Sequence, residues 1–106
     1  MKKRILIGSC GGLTGSYLAR QFRALDCYVI GADAGMCNAT RFMTDEFVNL
    51  PVAKDQDFIP RLLQVLKELR VDYYIPTHSQ EIRVVAQKEQ LLRENWDGKF
   101  IVSPWE

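Results

Sequence analysis

The sequence predicts an α/β fold: a three-layer, doubly wound, Rossmann-like domain built on a mainly parallel five-stranded sheet of order 3-2-1-4-5. Three observations carry this. Short β-branched runs alternate with longer amphipathic stretches along the chain, the pattern of successive strand–helix–strand units joined by right-handed crossovers. The runs Ile5-Leu6-Ile7 and Val29-Ile30 are continuously apolar, as strands covered on both faces require. The first run ends in Gly8-Ser9-Cys10-Gly11-Gly12-Leu13-Thr14-Gly15, with glycines where a strand turns sharply into a helix.

The elements follow in order. Arg4 to Gly8 is the first strand. A helix over 13–25 is expected to bury Leu13, Tyr17, Leu18, Phe22 and Leu25, which recur at spacings of three and four, with Arg20 and Arg23 near the end where cations suit the dipole. Cys27 to Ala32 is the second strand, ending at Asp33. Small and polar residues from Ala34 to about Thr44 form a loop. A weaker third strand, Glu46 to Leu50, closes at Pro51, which suits a sheet edge.

Asp55 or Asp57 caps a second helix, in whose first turn Pro60 loses no hydrogen bond, and Ile59, Leu62, Leu63, Leu66 and Leu69 form its apolar face. Val71 to Ile75 is the fourth strand, stopped by Pro76. Ser79 caps a third helix with Glu81 in its first turn and Ile82, Val85, Ala86 and Leu92 inward. Asn95 to Gly98 end it, and Phe100-Ile101-Val102 supply the fifth strand.

With 106 residues, 47% hydrophobic and 25% charged, the chain reads as a single domain over 1–106 of ordinary globular composition. No apolar run approaches the roughly 20 residues of a membrane-spanning helix. Fourteen basic residues against thirteen acidic ones give no broad field for nucleic acid or anionic lipid. Residues 1–25 nevertheless hold five basic residues and no acid. Lys2, Lys3 and Arg4 lie before and at the start of the first strand, at the sheet edge opposite the expected ligand site, and so read as solvated flanks.

Cys10, Cys27 and Cys37 form no Cys-x-x-Cys pair and are odd in number, which argues against a secreted disulfide framework. With His78 as the single histidine, a zinc site is excluded. Ile5-Leu6-Ile7 is too short for a secretory h-region, so a cytoplasmic location is expected.

Ligands of open α/β sheets bind beyond the carboxyl ends of the strands, where the strand order reverses. The candidates there are Gly11, Gly12 and Gly15, Asp33, and Thr77, His78 and Glu81. Backbone N–H groups of the glycine turn can face an anion. Asp33, 21 residues after Gly12, stands where an acid accepts from ribose hydroxyls. The spacing is not Gly-x-Gly-x-x-Gly, and tight strand–helix packing without a nucleotide explains the glycines equally well. Cys10 is either a thiol activated by a helix N-terminus or a small residue in a tight turn. His78 is an acid–base group or a polar loop residue. Glu81 complements a helix dipole or meets a substrate amine. Gly8-Ser9-Cys10 lacks the acidic pair of a phospho-receiver, and no tyrosine has a lysine four positions on, as a short-chain dehydrogenase requires.

These motifs, in their order, resemble a known family. Ile5-Leu6-Ile7 through Gly15, Val29-Ile30-Gly31-Ala32-Asp33, Thr44-Asp45-Glu46-Phe47-Val48-Asn49-Leu50-Pro51, Asp72-Tyr73-Tyr74-Ile75-Pro76-Thr77-His78-Ser79-Gln80-Glu81 and Phe100-Ile101-Val102-Ser103-Pro104 look like the N-terminal pre-ATP-grasp domain of ATP-grasp ligases. The proteins most similar are those like the carbamoyl-phosphate synthase large subunit. The resemblance implies a substrate-side domain of an ATP-dependent carboxylate–amine ligase, inactive alone and a fragment of a longer protein.

In that reading Gly11, Gly12 and Gly15 form the loop after the first strand. Asp33 matches the acid after the second strand, and Glu81 the acidic position after the fourth. No catalytic residue, metal ligand or cofactor falls in this chain. ATP and magnesium are implied for the parent enzyme, and the partners expected are its ATP-grasp domain, a small-molecule substrate and a second copy in a homodimer. The alternatives are a half Rossmann domain of an NAD(P)-dependent epimerase or dehydrogenase, and a stand-alone dimeric interaction module.

Overall fold

The computed structural model describes residues 2–35 and 43–101. Five strands, β1 (Arg4–Gly8), β2 (Tyr28–Asp33), β3 (Glu46–Asn49), β4 (Tyr73–Ile75) and β5 (Lys99–Phe100), accompany four helices, α1 (Leu13–Ala24), α2 (Phe58–Glu68), α3 (Ser79–Gln87) and α4 (Glu89–Asn95). Every strand pair is parallel, and the sheet order is β3-β2-β1-β4-β5. This is the fold class and strand order that the sequence predicts.

The order decides where the helices lie. The chain winds outward from β1 through β2 to β3, then returns across the sheet to β4 and on to β5, and right-handed crossovers place the helices of the two directions on opposite faces. Ile5, Ile7, Val29 and Ile75 accordingly pack with Ala19, Leu18 and Phe22 of α1. Leu6, Ile30 and Tyr74, on the other face of the pleat, pack with Leu62 and Leu66 of α2, Val85 of α3 and Leu92 of α4. Each such fully buried aliphatic contributes about 1.5–3 kcal/mol relative to exposure, so this alternation holds the three layers together.

α2 follows the sequence reading: Leu62 and Leu66 are buried, with Ile59, Leu63 and Leu69 packed beside them. Pro60 lies in its first turn. Asp57 stands at the N-cap without a side-chain cap bond, while Asp55 Oδ1 accepts from the Asp57 N–H at 2.8 Å. Arg70, at φ 53°, closes the helix: its N–H bonds the Lys67 carbonyl, and that of Val71 bonds the Leu66 carbonyl, the paired bonds of a Schellman motif.

Several expectations need correction. On α1, Leu13 is 93% exposed, Tyr17 61% and Leu25 71%. The stripe facing the sheet is Gly15, Leu18, Ala19 and Phe22, with Gly15 and Ala19 buried. A Cβ on Gly15 would stand 2.5 Å from Cys10 Cα, so α1 approaches the chain beneath it too closely for large side chains there. The expected third helix is two, α3 and α4, broken at Lys88, and Ala86 is exposed. His78, not Ser79, occupies the α3 N-cap.

The strand bounds also shift. β2 begins at Tyr28 rather than Cys27. Val71 is buried but precedes β4, because its N–H closes α2. β5 is Lys99–Phe100, with Ile101 adding one hydrogen bond to the Tyr74 carbonyl. Val102, Ser103, Pro104, Cys37 and most of the loop after Asp33 lie outside the described residues. Among the described residues no helix is long and apolar enough to cross a membrane.

Candidate functional site

The winding direction reverses between β1 and β4, so the loops leaving these strands part toward opposite faces and open a crevice at the carboxyl edge. Thr77 Oγ1 ties the two sides by donating to the Gly8 carbonyl at 2.7 Å. Ser9 turns the chain out of β1 with a left-handed φ of 53°. The Cys10 N–H then donates to the Ala32 carbonyl at 3.0 Å, anchoring the turn to β2.

Cys10 is fully buried. A Cβ on Gly31 would meet its Sγ at 2.8 Å, so β2 passes close beside the sulfur. Burial first, and then the charge of Asp33, push the thiol up to about 12. A thiol that stays protonated and out of solvent is a small packing residue rather than a nucleophile.

The N–H groups of the glycine turn are bonded within the protein, to β2 and to the turn itself. The Gly11 N–H donates to Asp33 Oδ2 at 2.6 Å, and the Gly12 N–H to the Ser9 carbonyl at 3.1 Å. The acid after β2 therefore binds the turn, and its Oδ1 accepts from the Gly35 N–H at 3.2 Å. Gly12 is the extended N-cap of α1 and provides no side-chain cap. Gly15 lies one turn inside the helix rather than in the loop.

Glu81 sits beneath this turn, 3% exposed. Its Oε1 accepts from Ser9 Oγ at 2.9 Å and its Oε2 from the Tyr74 hydroxyl at 2.5 Å. Gly8 makes room for it, because a Cβ there would overlap the carboxylate. Desolvation raises the Glu81 carboxyl above its ordinary 4.5, against the opposing pull of the Tyr74 and Ser9 hydrogen bonds. Burial, and next the Glu81 charge, hold the Tyr74 phenol well above its usual range. His78 Nδ1 accepts from the Gln80 N–H at 3.2 Å, so the neutral ring carries its proton on Nε2.

Two cavities open here. One, of about 180 Å³, has Ser9, Asp33, His78, Gln80 and Glu81 as polar walls and Leu50 and Phe58 among its apolar ones. The other, of about 430 Å³, lies over the turn against Gly12, Gly15, Asp33, Thr77 and His78, with Ser9 again shared. Of the residues singled out in the sequence, Asp33 and His78 face both cavities, Glu81 the first, and Gly12, Gly15 and Thr77 the second. Gly11 lines neither.

No lysine or arginine lines either cavity among the described residues, so the crevice has an acidic character. No group of three His, Cys, Asp or Glu residues is placed to hold a metal ion among the described residues.

Sequence reasoning missed Ser9, Tyr74, Leu50 and Phe58. Ser9 was signalled, as the one polar side chain between Gly8 and the next glycines. Tyr74 was not, since only the register of β4 distinguishes it from Tyr73.

No family model matches the chain, and no curated protein matches its sequence. Solved structures do. Glycinamide-RNase-transformylase T from Mycobacterium tuberculosis is similar over 96% of this chain and 26% of that one, at 16% identity and a TM-score of 0.65. A short chain dehydrogenase from Leptospira borgpetersenii serovar Hardjo-bovis, with bound NAD+, is similar over 96% of this chain and 51% of that one (15% identity, TM-score 0.63). A putative epimerase from Burkholderia cenocepacia J2315 is similar over 94% and 36% (16% identity, TM-score 0.64). The chain thus spans between about a quarter and a half of these proteins' length, and at such identities the likeness concerns the fold.

Proposed function

We propose that the chain is the substrate-side domain of an ATP-dependent carboxylate–amine ligase of the ATP-grasp type, holding a small amine-bearing acceptor in the crevice at its switch point. One observation carries the reading: the N–H groups of Gly11 and Gly12 are already bonded to Asp33 and Ser9. A dinucleotide pyrophosphate needs those donors, and the adjacent carboxylates of Asp33 and Glu81 repel it. The same acids attract an ammonium group. The smaller cavity adds an apolar wall at Leu50 and Phe58 for the body of such a molecule, and His78 Nε2 offers it a hydrogen-bond donor.

The crevice does not fit magnesium–ATP, since its described residues include neither cations for phosphates nor a cluster of acids for the metal. In this reading those groups belong to a partner domain, and this domain binds and orients the acceptor. The likeness to glycinamide-RNase-transformylase T is compatible with the reading at the level of fold. A carbamoyl-phosphate synthase-like parent is the finer form of the proposal, and it rests on the sequence motifs alone.

A second reading, half of an NAD(P)-dependent epimerase or reductase domain, is favoured by the position of Asp33 at the end of β2 and by the NAD+-bound neighbour. Thermal-shift and calorimetric titrations of the chain with NAD+, NADPH and a panel of small amino compounds separate the two. An amine that raises Tm, with the gain lost in Asp33→Asn, is the expected result. A saturable response to NAD+ or NADPH that moves the amides of Gly8 to Gly15 in NMR spectra, with none to amines, overturns it.

A further inference from the structure

We propose that a cavity at the amino edge of the sheet, opposite the crevice, binds a phosphate-bearing small molecule. This cavity, of about 520 Å³, lies between the end of α2, the start of β4 and the α4–β5 turn, and its volume suits a small ligand. Lys3, Lys67, Arg70 and Lys99 line it, with Asp72 and Asp97 as its acids and Trp96 as an aromatic wall. The four cations come from three separate places in the chain, Lys67 and Arg70 both from the end of α2, so their meeting is a product of the fold.

Their pairing sets them apart from the neighbouring cations. Lys2 pairs with Asp26 at 3.2 Å, Arg23 with Asp45 at 3.5 Å and Arg4 with Glu46 at 4.0 Å. Lys3, Lys67, Arg70 and Lys99 form no ion pair among the described residues. Of the two acids, Asp72 already accepts the Arg4 N–H at 2.8 Å. The basic excess of the N-terminal segment is therefore split: Lys2 and Arg4 are answered within the chain, while Lys3 joins a concave cationic surface.

Arg70 holds a left-handed φ of 53° at the position that closes α2, as Asp26 does after α1 at φ 63°, a common helix ending that glycine fills without strain. The same Schellman bonds occupy the Leu66 and Lys67 carbonyls, which reduces the negative end that α2 turns toward an anion. The wall is firm, since Trp96 Nε1 donates to the Val71 carbonyl at 3.0 Å and its ring covers Gly98, where a Cβ would overlap it.

A phosphate ester matches this chemistry: its oxygens take several cations at once, and a hydroxyl-bearing remainder has Asp97 as an acceptor beside the indole. Calorimetry and amide NMR of the full chain at low salt, with tripolyphosphate and with ADP as probes, test it. Both are expected to bind and to move the amides of Lys67 to Tyr73 and Trp96 to Lys99, with affinity falling as salt rises. Tighter binding of ADP points to a nucleotide, and equal binding to the phosphate groups alone; either supports the site.

Arg70→Gly, which relieves strain and keeps the fold, is expected to weaken binding roughly tenfold. Lys67→Glu with Lys99→Glu should abolish it, and Arg20→Glu should change nothing. No binding, shifts at Gly8 to Gly15 instead, or an unaltered Arg70→Gly overturns the proposal. The site is independent of the amine reading, so either can fail alone.

Discussion

Glu81 shows how much one residue depends on its surroundings. In the sequence it is a first-turn acid, and the dipole alone accounts for it. In the fold it is a carboxyl nearly out of water, held by Tyr74 and Ser9 in a space that exists because residue 8 has no Cβ. Its raised pKa has a definite consequence for stability. Below the ordinary carboxyl range both folded and unfolded chains are protonated and its contribution is complete. As pH climbs past 4.5 the unfolded chain ionises first, and stability declines until the folded carboxyl has also ionised. Glu81→Gln, which keeps partners for both hydroxyls, should flatten that decline; urea midpoints measured across the interval check it, and parallel curves would refute it. Gly8→Ala should cost about 1–3 kcal/mol by forcing the carboxyl from its place, read from the same denaturation curves.

At the scale of the element, helix ends and the α1 stripe separate what pattern reveals from what it hides. Leucine periodicity located α2 with its buried face because large residues there meet a sheet at ordinary distance. On α1 the same rule selected Leu13 and Tyr17, although the buried line runs through Gly15 and Ala19. Ala19→Leu should accordingly destabilise by roughly 1–3 kcal/mol through overpacking, despite looking like a gain in apolar character. Arg70→Gly should stabilise by up to about 1 kcal/mol, the left-handed penalty less the added freedom of the unfolded chain, seen as a higher Tm. His78→Ala removes the α3 cap and should cost about 0.5–2 kcal/mol. His78→Asp should restore it, which distinguishes capping from any role of the imidazole itself.

Across the whole molecule, the two winding directions create two edges of opposite character: an acidic crevice at the carboxyl ends and a cationic cavity at the amino ends. Between them α1 presents Leu13 and Tyr17 to solvent, one turn apart and beside the glycine turn. Exposed apolar surface of this kind favours association, and a second copy of the chain is the occupant that this predicts. The chain by itself should therefore self-associate with rising concentration, and Leu13→Asp with Tyr17→Ser should make it monomeric. Sedimentation velocity over a wide concentration range is the check; a wild-type chain that stays monomeric throughout would remove this surface from consideration.

The order of strands and helices, the parallel sheet and the place of the crevice were legible in the sequence, because each follows from local periodicity, turn residues and the handedness of crossovers. Asp33 and the glycine turn could be placed at the crevice in the same way. That Asp33 bonds the turn, that Cys10 is sealed under β2 and that Glu81 is buried were decided by tertiary contact, as was the gathering of Lys3, Lys67, Arg70 and Lys99. Period and propensity act within a few residues, whereas a carboxylate's partners and a lysine's neighbours arrive from the far end of the chain only when the layers close.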